Sequence, residues 1–327
     1  MSRSVLVAGG AGYIGSHVCK ALARRGYRPV TLDDLSTGHA AAVRWGPLIE
    51  ANIADGEAVR RAVAEHAPCG VMHFAAKSLV GESLADPLKY YAENVGHGAT
   101  FFRTLLGLGV DRILLSSTAA VYGDPAGAAA LTEDSPTGPI NPYGASKLAL
   151  EEALQWGAAA AGGCWTILRY FNAAGADGDG EIGEDHEPET HLIPLVAGAA
   201  LGRRPPVTVF GDDYPTPDGT AVRDYVHVED LAEAHLLTFE AMLGGQTRQL
   251  FNVGGGAGRS VREVIAAATA CLGVTPPHRI GPRRAGDPSV LVADVRRLSS
   301  LGWRPRRSLE QMVSTAAAWQ AKARAVG

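Results

Sequence analysis

Short apolar runs alternate with amphipathic helical periods along the first half of the chain. The helical period is clearest at Ile14, Val18 and Leu22, which recur at four-residue spacing. The apolar runs predict β-strands at residues 4–8, 28–32, 46–50, 70–75, 112–117 and 164–170. Strands joined by helical crossovers of this length form a parallel sheet with helices on both faces. We therefore predict a Rossmann-type, doubly wound α/β domain over residues 1–172.

The pattern changes after about residue 172. Residues 173–190 are rich in Gly, Asp and Glu and follow no period. The sequence then predicts shorter elements, with strands at 207–210, 221–228 and 249–253 and helices near 261–272 and 309–323. We predict a smaller C-terminal α/β lobe over residues 173–327, with segments near 221–255 returning to the first domain.

Composition and charge exclude several classes of protein. The 327 residues are 46% hydrophobic and 20% charged, which is typical of a folded protein. The net charge is −4 and the basic residues form no block, so we expect no nucleic-acid partner. No apolar run approaches the roughly 20 residues of a membrane span, so we also expect no membrane association.

The N-terminus and the cysteines bear on the compartment. Met1 to Ser4 lead directly into the first strand without the apolar segment of a secretory signal. The four cysteines are widely separated and form no CxxC pair, so we expect inert core thiols. These features predict a cytoplasmic protein.

A glycine-rich turn lies between the first strand and the first helix. Gly9, Gly12 and Gly15 permit a tight turn, the approach of backbone N–H groups to a pyrophosphate, and close packing of helix on strand. Asp33 ends the second strand 18 residues after Gly15. A carboxylate there accepts hydrogen bonds from an adenosine ribose and repels a 2′-phosphate. With Asp34 beside it, the motif predicts NAD as the cofactor rather than NADP.

A tyrosine and a lysine share one face of a later helix. Asn141 and Pro142 predict the start of this helix, as N-cap and first helical residue. Tyr143 and Lys147 are then four residues apart. A tyrosine with a pKa of about 10 is a poor base near neutral pH, but nearby positive charge stabilises its phenolate. Together with the hydroxyl of Thr118 at a strand end, the pair predicts proton transfer during oxidation of a carbinol carbon.

Several longer blocks occur in one order along nearly the whole chain. They include GGAGYIGSH (9–17), SSTAAVYG (116–123), NPYGASK (141–147), LRYFNAAGA (168–176), GEDHEPETHLIP (183–194) and RRAGDP (283–288). In these blocks the chain resembles the UDP-glucose 4-epimerases of the extended short-chain dehydrogenase/reductase family. So many blocks in one order are far more specific than any single motif.

The resemblance implies a reaction and three residues that perform it. UDP-glucose and UDP-galactose would interconvert by NAD-dependent oxidation at C4, rotation of the 4-keto sugar, and re-reduction from its other face. Tyr143 would take the proton from the sugar 4-hydroxyl and Thr118 would hydrogen-bond the substrate. Lys147 would bind the nicotinamide ribose and lower the pKa of Tyr143.

The resemblance also implies two sets of binding residues. The NAD-binding set comprises Gly9, Gly12, Tyr13, Ile14, Gly15, Asp33, Asn52, Ile53, Phe74, Ala75, Ala76, Ser78, Asn94, Ser116, Tyr143, Lys147 and Phe171. The set that binds the UDP-sugar comprises Thr118, Asn172, Leu192, Phe210, Arg223, Tyr225, Arg284, Asp287 and Leu291.

The sequence leaves other functions open. Leu291 stands where some relatives carry a bulky Tyr, so we expect UDP-GlcNAc to be accepted as well as UDP-glucose. A 4-epimerase of UDP-arabinose/xylose or of UDP-glucuronate is an alternative, as is a non-catalytic NAD sensor. A dehydratase is disfavoured because Ala119 and Ala120 follow the strand-end hydroxyl, where such enzymes carry acidic groups.

Metal binding and assembly can also be predicted from the sequence. Residues 177–181 are similar to a calcium loop but lack its bidentate Glu, because Pro188 stands at that position. His186 and His191 lack helical HExxH order, and we expect no further ligand cluster near them, hence no metal. Relatives pair through two helices, so we expect a homodimer formed by helices at 87–108 and 142–161.

Overall fold

The computed structural model describes residues 3–124, 130–284 and 287–322. Contacts divide the chain into two compact units. The first unit contains the described residues of Met1–Gly123, Pro136–Tyr170 and Ala232–Phe251, and the second contains those of Asp124–Ser135, Phe171–Leu231 and Asn252–Gly327. This division differs from a single boundary at residue 172, because the described residues of 124–135 and residues 171 and 172 belong to the second unit, while residues 232–251 belong to the first.

The strands that the sequence predicts are present, although those predicted at 46–50 and 70–75 are shorter, and the structure adds several strands and helices that were not predicted. The strands are β1 (Ser4–Ala8), β2 (Arg28–Asp33), β3 (Leu48–Glu50), β4 (Val71–His73), β5 (Arg112–Thr118), β6 (Cys164–Tyr170), β7 (Asn172–Ala174), β8 (Val207–Phe210), β9 (Val222–His227), β10 (Gln249–Val253), β11 (Gly258–Ser260), β12 (His278–Gly281) and β13 (Val290–Leu291). The helices are α1 (Tyr13–Arg24), α2 (Gly56–His66), α3 (Val80–Ala85), α4 (Pro87–Tyr90), α5 (Gly98–Gly107), α6 (Pro142–Ala161), α7 (Leu192–Ala200), α8 (Val228–Leu243), α9 (Val261–Leu272), α10 (Arg296–Ser299) and α11 (Leu309–Lys322). The last residue of the predicted helix at 309–323 lies outside the described residues.

The first unit is built around a seven-stranded sheet with the strand order β10-β6-β5-β4-β1-β2-β3. Strands β1 to β6 pair in parallel throughout. Most of their apolar side chains are buried, among them those of Leu6, Val30, Val71, Ile113 and Ile167. Parallel sheets are covered on both faces by crossover helices, which explains why these strands are apolar on both sides. The predicted Rossmann-type fold is confirmed.

The helix that the sequence predicts over residues 87–108 is interrupted. The segment Tyr91–His97 is π-helical and separates α4 from α5. The wider turn points Asn94 inward, where its side chain is buried and hydrogen-bonded. π-Helical turns often mark functional sites because they displace one side chain from the regular helical face.

The second unit contains two small sheets and a helical cluster. β9 pairs with β11, β13 and β7, and β8 pairs in parallel with β12. Helices α7, α9 and α11 share a core that includes Ile193, Val264 and Val313. The α9 helix begins at a capping box, in which Ser260 and Glu263 each satisfy a backbone N–H of the other.

The prediction that all four cysteines are core thiols is wrong. Cys19 is buried, Cys69 and Cys164 are half-buried, and Cys271 is exposed near the end of α9. Helix α9, which carries Cys271, is amphipathic, and position 271 lies on its solvent-exposed side. The apolar residues next to Cys271 in the sequence wrongly indicated that it is buried. None of the helices in the described ranges is long and apolar enough to cross a membrane.

Candidate active site

The glycine turn after β1 is shaped by close backbone contacts. A Cβ atom on Gly15 would lie 2.1 Å from the carbonyl oxygen of Gly9, and one on Gly9, whose φ is +79°, would lie 2.5 Å from the backbone nitrogen of Ala75. A Cβ on Gly12 would meet the protein only at 3.5 Å. The fold itself therefore requires glycine at positions 9 and 15, whereas at position 12, the N-cap of α1, it leaves room for a ligand.

The carboxylate of Asp33 holds this turn. Its Oδ2 accepts a hydrogen bond from the backbone N–H of Ala11 at 2.9 Å, and its Oδ1 accepts one from Leu35 at 2.9 Å. Burial raises the pKa of Asp33 from its usual value. Each carboxylate oxygen has a second lone pair, so Asp33 retains the capacity to accept hydrogen bonds from ribose hydroxyls.

Asn52 has a different partner from the one expected. Its Nδ2 donates to Asp34 Oδ2 at 2.8 Å, and its Oδ1 accepts from the backbone N–H of Ala54 at 2.9 Å. The Asn52 side chain therefore links the segment after β3 to the end of β2. A contact with adenine would have to use the second lone pair of its Oδ1. Ile53 beside it is buried.

Asn94 connects the segment after β4 to helix α6. Its Oδ1 accepts from the backbone N–H of Lys77 at 2.8 Å, while its Nδ2 lies 3.0 Å from both the Lys77 carbonyl oxygen and Ser146 Oγ. Lys77 Nζ donates to Ser36 at 3.2 Å and lies 3.7 Å from Glu93. Asn94 is thus a positioning residue, because it fixes the segment at residues 74–78 against the residue that precedes Lys147.

The expected NAD-binding residues of the first unit surround this turn. Tyr13 is buried in α1 and packs edge-on against His17 at 5.3 Å, whereas Ile14 is half-buried. Phe74, Ala75 and Ala76 follow β4 and are half-buried, and Ser78 is exposed. Most of the predicted first-unit residues therefore lie at or just after the carboxyl ends of β1 to β5, where ligands bind in open parallel sheets. The exceptions are Asn94 in the π-helical segment and Tyr143 and Lys147 in α6.

The tyrosine and the strand-end threonine are hydrogen-bonded to each other. The hydroxyls of Thr118, the last residue of β5, and Tyr143 in α6 form this bond, which lowers the pKa of Tyr143. Burial acts in the opposite direction and is stronger, so the pKa of Tyr143 is raised overall. Ser116, two residues before Thr118, forms a short hydrogen bond with Tyr170. The helix start at Asn141 is as predicted, since its side chain accepts from the backbone N–H of Gly144 at 2.8 Å.

Lys147 is almost completely buried one turn after Tyr143. Its side chain is 2% exposed, and burial lowers its pKa to about 8 even though the carboxylate of Glu151 raises it. The adjacent His73 is also buried, and burial together with the charge of Lys147 lowers its pKa to about 3. His73 is therefore a neutral side chain near pH 7.

A buried ion pair lies one further turn along α6, and the sequence analysis did not identify it. Glu151 binds Arg169 of β6 through contacts of 2.6 Å and 3.0 Å and also accepts a short hydrogen bond from Ser117. Both side chains are buried. The four-residue spacing from Lys147 was a usable signal, but no sequence pattern assigns Arg169 as the partner.

In the second unit, half of the expected substrate-binding residues lie on β9 and the strands paired with it. Asn172 is the register partner of Tyr225 in the β7–β9 pair, and Leu291 is that of Arg223 in the β13–β9 pair. Arg223 also forms an ion pair with Asp287. A cationic side chain, an acceptor and a tyrosine thus meet on one small sheet.

Four other predicted residues lie elsewhere in the second unit. The Arg284 guanidinium lies over the Phe210 ring, 3.9 Å from its centroid, which is a close cation–π contact. Leu192 begins α7 and packs against the same core as Tyr225. Phe171 is buried in the second unit, and its backbone N–H donates to Val253. Residues 285 and 286 of the RRAGDP block lie outside the described residues.

Asp224 supports this sheet and was missed from the sequence. Its fully buried carboxylate accepts from the backbone N–H groups of Gly255, Gly256 and Ala293 at 2.5–3.1 Å. Burial nevertheless raises its pKa to about 6. Its position between two predicted substrate residues was the only available signal.

The expectation that no further ligand cluster adjoins His186 and His191 is wrong. The structure brings both imidazoles together with the carboxylates of Glu184 and Glu189. These residues are close in sequence, but only the path of the loop makes their side chains converge. The spacing of the two histidines alone therefore gave no sign of the cluster.

The fold and these positions define a dinucleotide-binding protein that carries the Tyr-x-x-x-Lys pair of carbinol-oxidising enzymes. The chain belongs to the NAD dependent epimerase/dehydratase family, whose sequence profile matches residues 5–254. This confirms NAD as the predicted cofactor and the predicted enzyme class.

Individual relatives extend the similarity over nearly the whole chain. The chain is 47% identical over 322 residues to the UDP-glucose 4-epimerase of Azospirillum brasilense, covering 98% of this chain and 92% of the relative. Among solved structures, the UDP-glucose 4-epimerase from Brucella ovis in complex with NAD superposes with a TM-score of 0.94 at 45% identity, covering 96% and 97% of the two chains. The enzyme from Bifidobacterium longum in complex with NAD+ and UDP has a TM-score of 0.93 at 36% identity, covering 98% of each chain. The resemblance found in the sequence is therefore confirmed.

Proposed function

We propose that this protein is a UDP-glucose 4-epimerase that interconverts UDP-glucose and UDP-galactose. The observation that carries the proposal is the hydrogen-bonded pair Thr118 and Tyr143, which adjoins Lys147 in a unit that also holds a dinucleotide-type glycine turn. Full-length relatives with this activity, and solved relatives that hold NAD or UDP, support it.

The glycine turn fits the pyrophosphate of NAD. Gly9 and Gly15 bring backbone segments into contact that side chains would separate, and position 12 offers open space at the N-terminus of α1. A helix N-terminus favours an anion because its first N–H groups have no partner within the helix. When bound, NAD supplies the acceptor for the hydride from the sugar C4 atom.

The chain's own residues handle the proton. Tyr143 accepts the proton of the sugar 4-hydroxyl and returns it when the carbonyl is reduced. Thr118 donates to or accepts from the same hydroxyl and orients it toward the tyrosine. Lys147 holds a positive charge in a buried place, which favours the phenolate over the neutral tyrosine.

The second unit supplies residues suited to the UDP portion. Arg223 and Arg284 are guanidinium donors for a diphosphate, and Phe210 offers an apolar face for the uracil. Asp287 is placed to orient Arg223 and to accept from a ribose hydroxyl. The ion pair of Arg223 with Asp287 keeps the guanidinium in position before ligand binds.

The test uses the purified holoenzyme without added NAD. UDP-galactose, UDP-GlcNAc and UDP-xylose are incubated separately and the products are followed by NMR. We expect UDP-galactose and UDP-glucose to interconvert, because NAD is regenerated in every turnover. If none of the three sugars is interconverted, the protein is not an epimerase of these sugars and the proposal is refuted. If only UDP-xylose is turned over, UDP-xylose is the substrate instead of UDP-galactose.

A second substrate is favoured by Leu291. This half-buried leucine is the register partner of Arg223, so it lies beside a proposed diphosphate ligand. A side chain shorter than tyrosine leaves space for a 2-acetamido group, and we propose that UDP-GlcNAc is also a substrate. Leu291→Tyr should lose turnover of UDP-GlcNAc and retain that of UDP-glucose. Full retention of both activities would contradict this role.

We also propose that the protein is a cytoplasmic homodimer. Leu88 and Trp156 are 78% and 77% exposed on helices of the first unit, which is unusual for large apolar side chains and marks an interaction surface. The cysteines of the described residues are free, as is typical of a reducing compartment. Sedimentation should find a dimer that Trp156→Glu weakens and Val274→Glu, at an exposed site of the second unit, leaves intact. A monomeric parent protein would overturn the dimer.

A further inference from the structure

A compact set of four side chains occupies the loop between β7 and α7. Glu184, His186, Glu189 and His191 each direct one donor atom inward, and the four atoms lie within 4.8 Å of one another. His191 Nδ1 is 2.7 Å from Glu184 Oε1 and 3.1 Å from Glu189 Oε1. His186 Nδ1 is 3.2 Å from Glu184 Oε1 and 3.9 Å from Glu189 Oε2.

These separations are close to those of ligands around one small metal ion. Zinc binds imidazole nitrogen and carboxylate oxygen at about 2.0–2.2 Å, which places tetrahedral ligands about 3.3 Å apart. Three of the four separations, at 2.7–3.2 Å, are slightly shorter than this value, and the fourth, to the second oxygen of Glu189, is 3.9 Å. Two imidazoles and two carboxylates are also a donor set that zinc accepts, whereas magnesium and calcium prefer oxygen alone.

The carboxylates are buried in a way that calls for a cation. The side chains of Glu184 and Glu189 are 4% and 2% exposed. Both imidazoles face Glu184, since His191 Nδ1 lies 2.7 Å and His186 Nδ1 lies 3.2 Å from its Oε1. A buried carboxylate is costly unless positive charge lies beside it, and a divalent cation held by all four donors would supply that charge.

The rest of the loop is already fixed around the four donors. Glu189 Oε1 accepts from the backbone N–H groups of Thr190 and His191 at 2.7 and 2.8 Å, and the Glu184 carbonyl accepts from Trp319 Nε1 at 3.0 Å. A Cβ on Gly183 would lie 2.4 Å from the Trp319 ring. The ligands are therefore held by backbone contacts that exist independently of any ion.

We propose that Glu184, His186, Glu189 and His191 form a structural zinc site. With four protein ligands the ion has no open position for substrate, so its role is to hold the loop rather than to take part in the reaction. The site lies directly before Leu192, the first residue of α7. Zinc would thereby fix the start of that helix, and the proposal does not depend on the identity of the sugar nucleotide.

The primary experiment measures zinc on tag-free holoenzyme. The protein is incubated with zinc chloride, dialysed, and analysed by elemental mass spectrometry, and thermal unfolding is recorded with and without zinc. We expect one zinc per chain and a higher midpoint with zinc, because an ion that binds only the folded state stabilises it. Magnesium chloride should produce neither effect.

Variants assign the site. The double variant His186→Gln/His191→Gln should retain less than a tenth of the zinc and lose the zinc-dependent shift of the midpoint. His278→Gln, at an exposed histidine of the same unit, should behave as the parent protein. Absence of stoichiometric zinc from the parent protein would overturn the proposal and leave an ion-pair network only. Equal zinc content in the parent protein and the double variant would also overturn it.

Discussion

Glu151→Leu should destabilise the protein strongly, although Glu151 has no assigned contact with substrate or cofactor in the proposed mechanism. Its carboxylate binds the Arg169 guanidinium through contacts of 2.6 Å and 3.0 Å, and both side chains are buried. Leucine keeps most of the volume but leaves the guanidinium without its counter-charge. The Arg169 guanidinium keeps its contacts with Tyr122, which are a side-chain hydrogen bond and a cation–π contact at 5.0 Å from the ring centroid, but these supply no full counter-charge.

The magnitude follows from the hydrogen bonds that the substitution removes. A hydrogen bond to a charged group contributes about 1.5–3 kcal/mol, so two of them correspond to about 3–6 kcal/mol. Removal of one partner from a buried ion pair costs about 3–5 kcal/mol in the free energy of unfolding. We therefore expect a loss of about 3–5 kcal/mol for Glu151→Leu and a similar loss for Arg169→Met.

The assay is a double-mutant cycle by chemical denaturation, followed by tryptophan fluorescence and circular dichroism. The variant Glu151→Leu/Arg169→Met should cost much less than the sum of the two single changes, because no unpaired charge remains. Glu152→Leu, on the exposed side of the same helix, is the control and should change stability by less than about 0.5 kcal/mol. A cost below about 1 kcal/mol for Glu151→Leu, or simple additivity in the cycle, would refute the reasoning.

Three further outcomes are expected. Tyr143→Phe should retain UDP-sugar binding but lose turnover by about 10²–10⁴-fold, the usual contribution of a positioned acid-base group, and stopped assays with each UDP-sugar measure this. Gly15→Ala should impair folding, because the new Cβ would lie 2.1 Å from a backbone oxygen. Gly12→Ala should fold normally but bind NAD less tightly. Thermal unfolding and the NAD content of the purified variants distinguish the two outcomes. Lys147→Met should be inactive yet more stable in NAD-free protein. The pKa of Lys147 is about 8 in the folded protein and 10.5 in the unfolded chain, so below pH 8 the buried charge lowers the free energy of unfolding by about 3 kcal/mol. This penalty disappears as the pH rises toward 10.5, where the lysine is neutral in both states. Chemical denaturation of the parent protein and the variant at two pH values measures the difference.

Much of the first unit could be predicted because its determinants are local. The run at 4–8, the turn from Gly9 to Gly15 and the period of α1 each carry a complete pattern within a few residues. The bounds of β1 and β6 coincide with the predicted strands, and Asn141 caps α6 as expected. Local patterns succeed here because the periodicity of apolar residues and the turn and cap residues lie within each element.

The positions that sequence reasoning missed depend on contacts between distant segments. The π-helical segment at Tyr91–His97 is established by what Asn94 reaches, namely the backbone of Lys77 and the side chain of Ser146. Similarly, Arg169 becomes the partner of Glu151 only once β6 lies beside β5 and α6. No period or motif encodes such a pairing, since it arises from the packed sheet.

The buried environment of Tyr143 and Lys147 explains why the lysine alone does not produce a ready base. Burial disfavours charge on either group, raising the pKa of the tyrosine and lowering that of the lysine to about 8. Within the chain, the hydrogen bond from Thr118 is what opposes the effect of burial on Tyr143. The predicted contribution of Lys147 to that pKa stays a prediction. A phenolate therefore requires further positive charge beside the tyrosine, and in the proposed reaction the oxidised nicotinamide carries such a charge. The proton acceptor is thus strongest when the hydride acceptor is in its oxidised form, which couples the two transfers that oxidation of a carbinol carbon requires.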